Sequence, residues 1–182
     1  MKIRKIYNQI LTEQSNKFIA YHGSNNQFDQ FDVNRVGNGY DQNGPGFYFT
    51  LDQTEADHYG KFVNKYELII NKKVPTTGRI NISEIQKIVK MAPKYKETIL
   101  DWAETEFEGL QTYLKQMREQ ESQFHALVST WYDFYKYDSP DWVINMSKLG
   151  YDGVIITGDR GYGNIGSKTH IIMYNQNRIK KL

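Results

Sequence analysis

The chain contains no cysteine, which excludes disulfides, thiolate nucleophiles and cysteine-ligated zinc and leaves packing alone to hold the fold. It also lacks any apolar run long enough to span a bilayer. Residues 1–15 are basic but carry neither the apolar stretch nor the small-residue cleavage site of a secretory signal. A cytoplasmic protein with no membrane partner is the expectation. Strong charge of one sign is missing too. Its 23 basic and 21 acidic residues give a net charge of +2, no field from which a nucleic-acid partner would follow. The histidines, His22, His58, His125 and His170, include no HxH or HxxxH pair, so no metal is expected. A GxSxG nucleophile elbow is absent as well, which leaves hydrolase readings without support.

What is present suffices for one domain over residues 1–182. A chain of 182 residues, 39% apolar and 14% aromatic, falls inside the globular range and can bury a core. Ile3, Ile6 and Ile10 recur at helical spacing and predict an amphipathic N-terminal helix. Residues 17–21 read as a short strand that runs into a turn at His22, Gly23 and Ser24. A polar loop over residues 25–46 follows, anchored by Phe28 and Phe31. Then come a strand at 46–50 bearing Tyr48, a short helix at 53–61 bearing Tyr59 and capped by Asp52 or Thr54, and a strand at 65–71.

From residue 83 to about 137 the period changes. Ile85, Ile88, Leu110, Leu114, Met117 and Leu127 fall at helical spacing and predict an insert of two or three helices. Ser139, Pro140 and Asp141 read as a helix start with Ser139 as cap, and Gly150 as its stop. Strands at 153–157 and 170–174 flank a glycine-rich loop at 158–168. Strands around an inserted helical block make the fold α+β. Gly161, Gly163 and Gly166 spell GxGxxG, yet no helix follows and the chain ends before the acidic residue that a dinucleotide fingerprint requires. The run GYGNIGSKT misses a P-loop by Ser167.

Three short runs survive this sorting: Tyr21-His22-Gly23-Ser24, Gly46-Phe47-Tyr48-Phe49-Thr50 and Ala56-Asp57-His58-Tyr59-Gly60. With Phe28, Phe31-Asp32, residues 37–46 and the later run Leu149-Gly150-Tyr151-Asp152-Gly153, their order and spacing resemble the His-Tyr-Glu class of ADP-ribosyltransferases, the poly-ADP-ribose polymerase-like branch. The likeness is greatest to the ADP-ribosyltransferase domains of phage and mobile-element polyvalent proteins. It covers the first 75 or so residues and resumes near residue 149, leaving the helical insert unaccounted for.

The resemblance implies a small split β-sheet core and an NAD-dependent enzyme that moves single ADP-ribose units to a macromolecular acceptor, a protein in preference to a nucleic acid. It implies that Tyr48 and Tyr59 stack on the nicotinamide ring, that backbone groups of Gly23 hold the carboxamide, and that His22 and Ser24 make polar contacts, His22 to an adenosine-ribose hydroxyl. Catalytic roles would fall to His22, Tyr48 and His170. His170 stands where the family places a glutamate, and Ala56 where a serine is frequent. A carboxylate about 4 Å from the forming oxocarbenium cation would contribute up to about 4 kcal/mol at an effective dielectric of about 20, roughly a thousandfold in rate. Neither Asp159 nor the Glu104, Glu106 and Glu108 group is expected to replace it; the latter reads as a solvated helix face. A catalytically silent domain that binds NAD or ADP-ribose, and grips a partner protein through its insert, is the alternative reading.

Overall fold

The structure, a computed structural model, describes residues 16–37, 43–102, 105–135, 138–157 and 169–182. The N-terminal helix expected around Ile3 to Ile10 and the glycine-rich loop at 158–168 lie outside these residues. Six strands, β1 (Lys17–Ser24), β2 (Phe47–Thr50), β3 (Phe62–Ile69), β4 (Gly153–Thr157), β5 (Thr169–Met173) and β6 (Ile179–Lys181), form one sheet in the order β4-β5-β2-β1-β3-β6. All five neighbouring pairs are antiparallel. The strands are rich in β-branched and aromatic residues, which suit a pleated, half-buried surface. Ala20, Phe49, Tyr66, Leu68, Ile171 and Ile172 are buried in the core.

Pairing is uneven across the sheet. β1 pairs with β3 along its whole length, from Lys17↔Ile69 to Ser24↔Phe62. β2 pairs with β5 from Phe47↔Met173 to Thr50↔His170. Between β1 and β2, however, the ladder consists of Tyr21↔Thr50. Instead of two separate leaves, the core is one continuous sheet whose halves, β6-β3-β1 and β2-β5-β4, meet at this narrow seam. Side chains alternate between faces along a strand. The Tyr21↔Thr50 register therefore sends His22 and Phe49 to one face, and Gly23, Tyr48, Thr50 and His170 to the other.

The helical elements sharpen several expectations. The helix expected at 53–61 is α1 (Gln53–Ala56), tightening into a 3-10 turn over Asp57–Tyr59. Asp52 caps it, accepting from the Thr54 N–H at 2.9 Å. Instead of two or three helices, the insert has four among the described residues: α2 (Ile82–Lys90), α3 (Tyr95–Trp102), α4 (Glu106–Met117) and α5 (Gln123–Thr130), the last running into a π-turn at Trp131–Tyr135. The extra breaks are made by single polar caps. Thr105 accepts from the Glu108 N–H and Ser122 from the His125 N–H, and apolar periodicity is blind to such residues. The sixth helix, α6 (Ser139–Lys148), is capped by Asp138 rather than Ser139. The Asp138 carboxylate accepts from the Asp141 N–H at 3.2 Å, which leaves Ser139 buried inside the first turn. Gly150, at φ +83°, ends this helix as expected.

Asp152 ties the ends of three strands together. Its buried carboxylate accepts from the backbone N–H groups of Asn71 (2.9 Å) and Lys72 (3.1 Å), just past β3, and from the Asn175 side chain beyond β5. Its own carbonyl accepts from the Tyr174 N–H at 2.8 Å. Removing the carboxylate strands two backbone donors, and each buried donor left unsatisfied costs on the order of 1–3 kcal/mol. Asp152→Ala is expected to lower stability by about 3 kcal/mol, read as a drop in the urea midpoint at constant slope.

Candidate functional site

The end of β1 is shaped by two glycines. A Cβ on Gly23 would collide with the Ala56 carbonyl oxygen, and one on Gly60 with the Ser24 carbonyl carbon. The turn at 56–60 therefore lies directly on Gly23 and Ser24, an approach that only glycine permits at both positions. This seating places Tyr59 beside Gly23, its Cβ 3.3 Å from the position a Gly23 Cβ would occupy. Tyr59 is 57% exposed, so a large aromatic ring stands at the surface beside the end of β1.

His22 occupies the seam. Its Nδ1 lies 2.7 Å from the Tyr48 carbonyl oxygen, and because a carbonyl only accepts, Nδ1 carries the proton and donates. The ring packs edge-on against Phe28 (5.7 Å between centroids) and Phe31 (5.0 Å), and lies tilted to Phe49. Burial among these rings lowers the pKa of His22, outweighing the opposing effect of the Tyr48 carbonyl. A neutral, Nδ1-protonated imidazole keeps Nε2 as an acceptor. His22 lines a cavity of about 610 Å³ with Ser24, Gln27, Phe28, Asp32, Arg35 and Phe47 among its walls. Apolar rings with a few polar groups around them are the usual make-up of a small-molecule site.

The other expected residues fall into two groups. Ser24 lines the same cavity and accepts from the Asn26 N–H at 3.1 Å. Tyr48 touches His22 through its main chain only; its side chain leaves on the opposite face, where the phenol donates to the Gly44 carbonyl at 2.5 Å. His170 shares the face of Tyr48, two registered pairs further along β2. There it is buried, and its Nε2 donates to Oε1 of Glu55 at 2.8 Å. The second carboxylate oxygen of Glu55 accepts from the Thr50 hydroxyl.

Glu55 was not among the residues picked out by sequence. It lies three positions after the cap Asp52, the spacing of a capping box in which a glutamate reaches back to the cap N–H. That bland role is taken by another group, since the Asp52 N–H donates to Thr50 Oγ1 at 3.2 Å. Glu55 instead turns inward. Of the other acidic residues weighed, Glu108 is exposed on the first turn of α4, as a solvated face requires, whereas Glu104 and Asp159 lie outside the described residues. Among the described residues no group of three potential ligands could hold a metal ion, and no helix is long and apolar enough to cross a membrane.

Comparison with known proteins defines the class. The family model described as ADP-ribosyltransferase in polyvalent proteins matches residues 13–182, and the chain belongs to this family. The match runs through the helical insert, which the short motifs left unassigned. As a class these enzymes take NAD as ADP-ribose donor and act on a macromolecular acceptor. A comparison with curated proteins finds no match. The crystal structure of an anti-CRISPR protein is similar over 92% of this chain and 97% of that one, at 11% identity and a TM-score of 0.39, too slight a likeness to bear on fold or function.

The pKa of His22 is lowered on folding, so the unfolded chain takes up its proton first as pH falls. Its contribution to stability is complete above about 6.5 and declines as pH drops below that value. The stability difference between wild type and His22→Asn, from urea unfolding, should therefore shrink between pH 7 and pH 5.

Proposed function

We propose that this chain is an NAD-dependent mono-ADP-ribosyltransferase, acting on a protein acceptor and encoded by a phage or mobile element to modify a host factor in the cytoplasm. Family membership supports the transferase chemistry. The observation that carries the donor site is His22, kept neutral by burial and oriented by the Tyr48 carbonyl, with Nε2 left as an acceptor on the wall of a cavity large enough for a nucleotide. On this reading the adenosine half of NAD enters that cavity. The ribose hydroxyl donates to His22 Nε2, Ser24 adds a polar contact, and the Arg35 guanidinium supplies positive charge for the pyrophosphate.

The nicotinamide half would lie against the edge of Gly23 that faces β2, where the β1–β2 ladder has ended, the space of the missing side chain being taken by the Ala56 carbonyl. Tyr59 then stacks on the pyridinium ring from the exposed side, and Tyr48 flanks it from β2. Single-unit transfer is inferred because chain extension in the family pattern relies on the glutamate that His170 replaces.

Radiolabelled NAD incubated with host extract should mark a protein band. Tyr59→Ala should raise the KM for NAD about tenfold, the loss of one stacking partner, with an unchanged melting temperature because the ring is exposed. Tyr48→Ala should abolish the mark. NAD binding by calorimetry with no nicotinamide release would instead identify a silent NAD-binding domain, and absence of both binding and labelling would rule out the donor site.

A further inference from the structure

We infer that Glu55 supplies, through His170, the negative charge that the family pattern expects from a glutamate on the closing strand; this inference rests on the transferase reading above. Glu55 is only 8% exposed and spends both carboxylate oxygens on side chains, His170 and Thr50. A carboxylate is costly to bury unless it is fully hydrogen-bonded. The capping role that would explain a glutamate at this spacing is filled by Thr50 instead. What Glu55 does have is His170, which the β2–β5 register sets opposite Thr50 and on the face of Tyr48.

The location fits the chemistry. Directly after Glu55 the chain forms the turn that seats on Gly23 and presents Tyr59, so the carboxylate sits one residue from the floor of the proposed nicotinamide subsite. With Nε2 donating to Glu55, a neutral His170 keeps Nδ1 as an acceptor for a hydroxyl of the nicotinamide ribose. While the imidazole is neutral, it and the carboxylate together carry one negative charge. In the transfer, the bond between ribose C1′ and the pyridinium nitrogen breaks and its electron pair leaves with neutral nicotinamide. The positive charge left on C1′ and the ring oxygen is met by the charge of the pair. A lone pair of the acceptor then forms the new bond to C1′, and the acceptor's proton passes to solvent. Glu55 is thus a positioning residue that acts through His170.

Standing one imidazole ring further back, at about 8 Å and an effective dielectric of about 20, a unit charge is worth ~30-fold in rate, against the roughly thousandfold of a carboxylate in direct contact. Glu55→Gln preserves the shape of the side chain and removes the charge. Its kcat for nicotinamide release should fall ~30-fold while KM for NAD changes less than about threefold. The downfield Nε2 proton resonance of His170, expected for a donor to carboxylate, should move upfield. The double variant His170→Glu with Glu55→Gln returns one carboxylate to the strand and should recover kcat. If Glu55→Gln fails to fold, Glu55→Asp serves, with a smaller loss in kcat and the proton resonance retained. A wild type that releases nicotinamide while Glu55→Gln is equally fast overturns the role of Glu55 alone. A wild type that neither binds NAD nor releases nicotinamide overturns the transferase reading and this inference with it.

Discussion

The hydrogen bond from His22 to the Tyr48 carbonyl is the constraint on which the rest of the site depends. β1 and β2 are held in register at Tyr21↔Thr50; beyond that pair, toward Ser24 and Phe47, the imidazole of His22 meets the Tyr48 carbonyl. An unpaired buried carbonyl would cost on the order of 1–3 kcal/mol. A side chain therefore does the work of a backbone ladder, and the strands gain room that a ladder would close. Phe28 and Phe31, carried on the loop after β1, pack around the same ring. The polar residues near them in sequence, Gln27, Asp32 and Arg35, line the cavity beside it. One bond thus satisfies the sheet, fixes the tautomer of His22 and leaves its second nitrogen for a ligand.

The seam also explains why the expected residues divide between two faces. In a sheet the period of two is strict, so the neighbours His22 and Gly23 must point to opposite sides, as must Tyr48 and Phe49. A ligand touching both His22 and the face of Tyr48 has to pass around the open end of the seam rather than lie across one face. Gly23 and Gly60 make that passage tight by allowing the turn after α1 to rest on the end of β1. The same turn fixes where Tyr59 stands.

Much of this was legible because it is local. Strand periodicity, the glycine stop at Gly150 and the cap at Asp52 follow from neighbouring residues, though β1 runs on through the turn expected at His22, Gly23 and Ser24, and β3 starts at Phe62 rather than 65, because the two strands pair along their whole length. The short motifs around His22, Tyr48 and Tyr59 pointed to the family that the whole-chain match shows. What escaped depends on distance or on single polar side chains. Asp138 and Ser139 are both good caps in sequence, and the choice between them is made by the burial of Ser139. The four-helix division of the insert hangs on Thr105 and Ser122. Glu55 and His170 lie 115 positions apart, and nothing in the local pattern of either announces the other. In the acidic cluster of the insert, charge is dense in sequence. Density in sequence is the mark of a solvated face, whereas Glu55 stands apart from that cluster and is buried.

Seen together, the two histidines follow one rule. His22 donates from Nδ1 to a carbonyl and keeps Nε2 as an acceptor; His170 donates from Nε2 to a carboxylate and, when neutral, keeps Nδ1. Fixing one nitrogen by a hydrogen bond is how a protein selects the tautomer, and so the acceptor, at the other. The partners differ because the demands differ. A carbonyl contributes a dipole, enough to orient a ring that only has to recognise a hydroxyl, and burial keeps that ring uncharged. A carboxylate contributes a full charge, which matters where positive charge develops on the proposed substrate. Placing that charge on α1 rather than on β5 separates two tasks that a single strand glutamate would combine. On the proposed reading the strand residue would meet the sugar, and the helix residue behind it would carry the charge. The separation costs rate because Coulomb energy falls with distance, yet it keeps the carboxylate bonded to Thr50 and His170, where both oxygens are satisfied without help from a ligand.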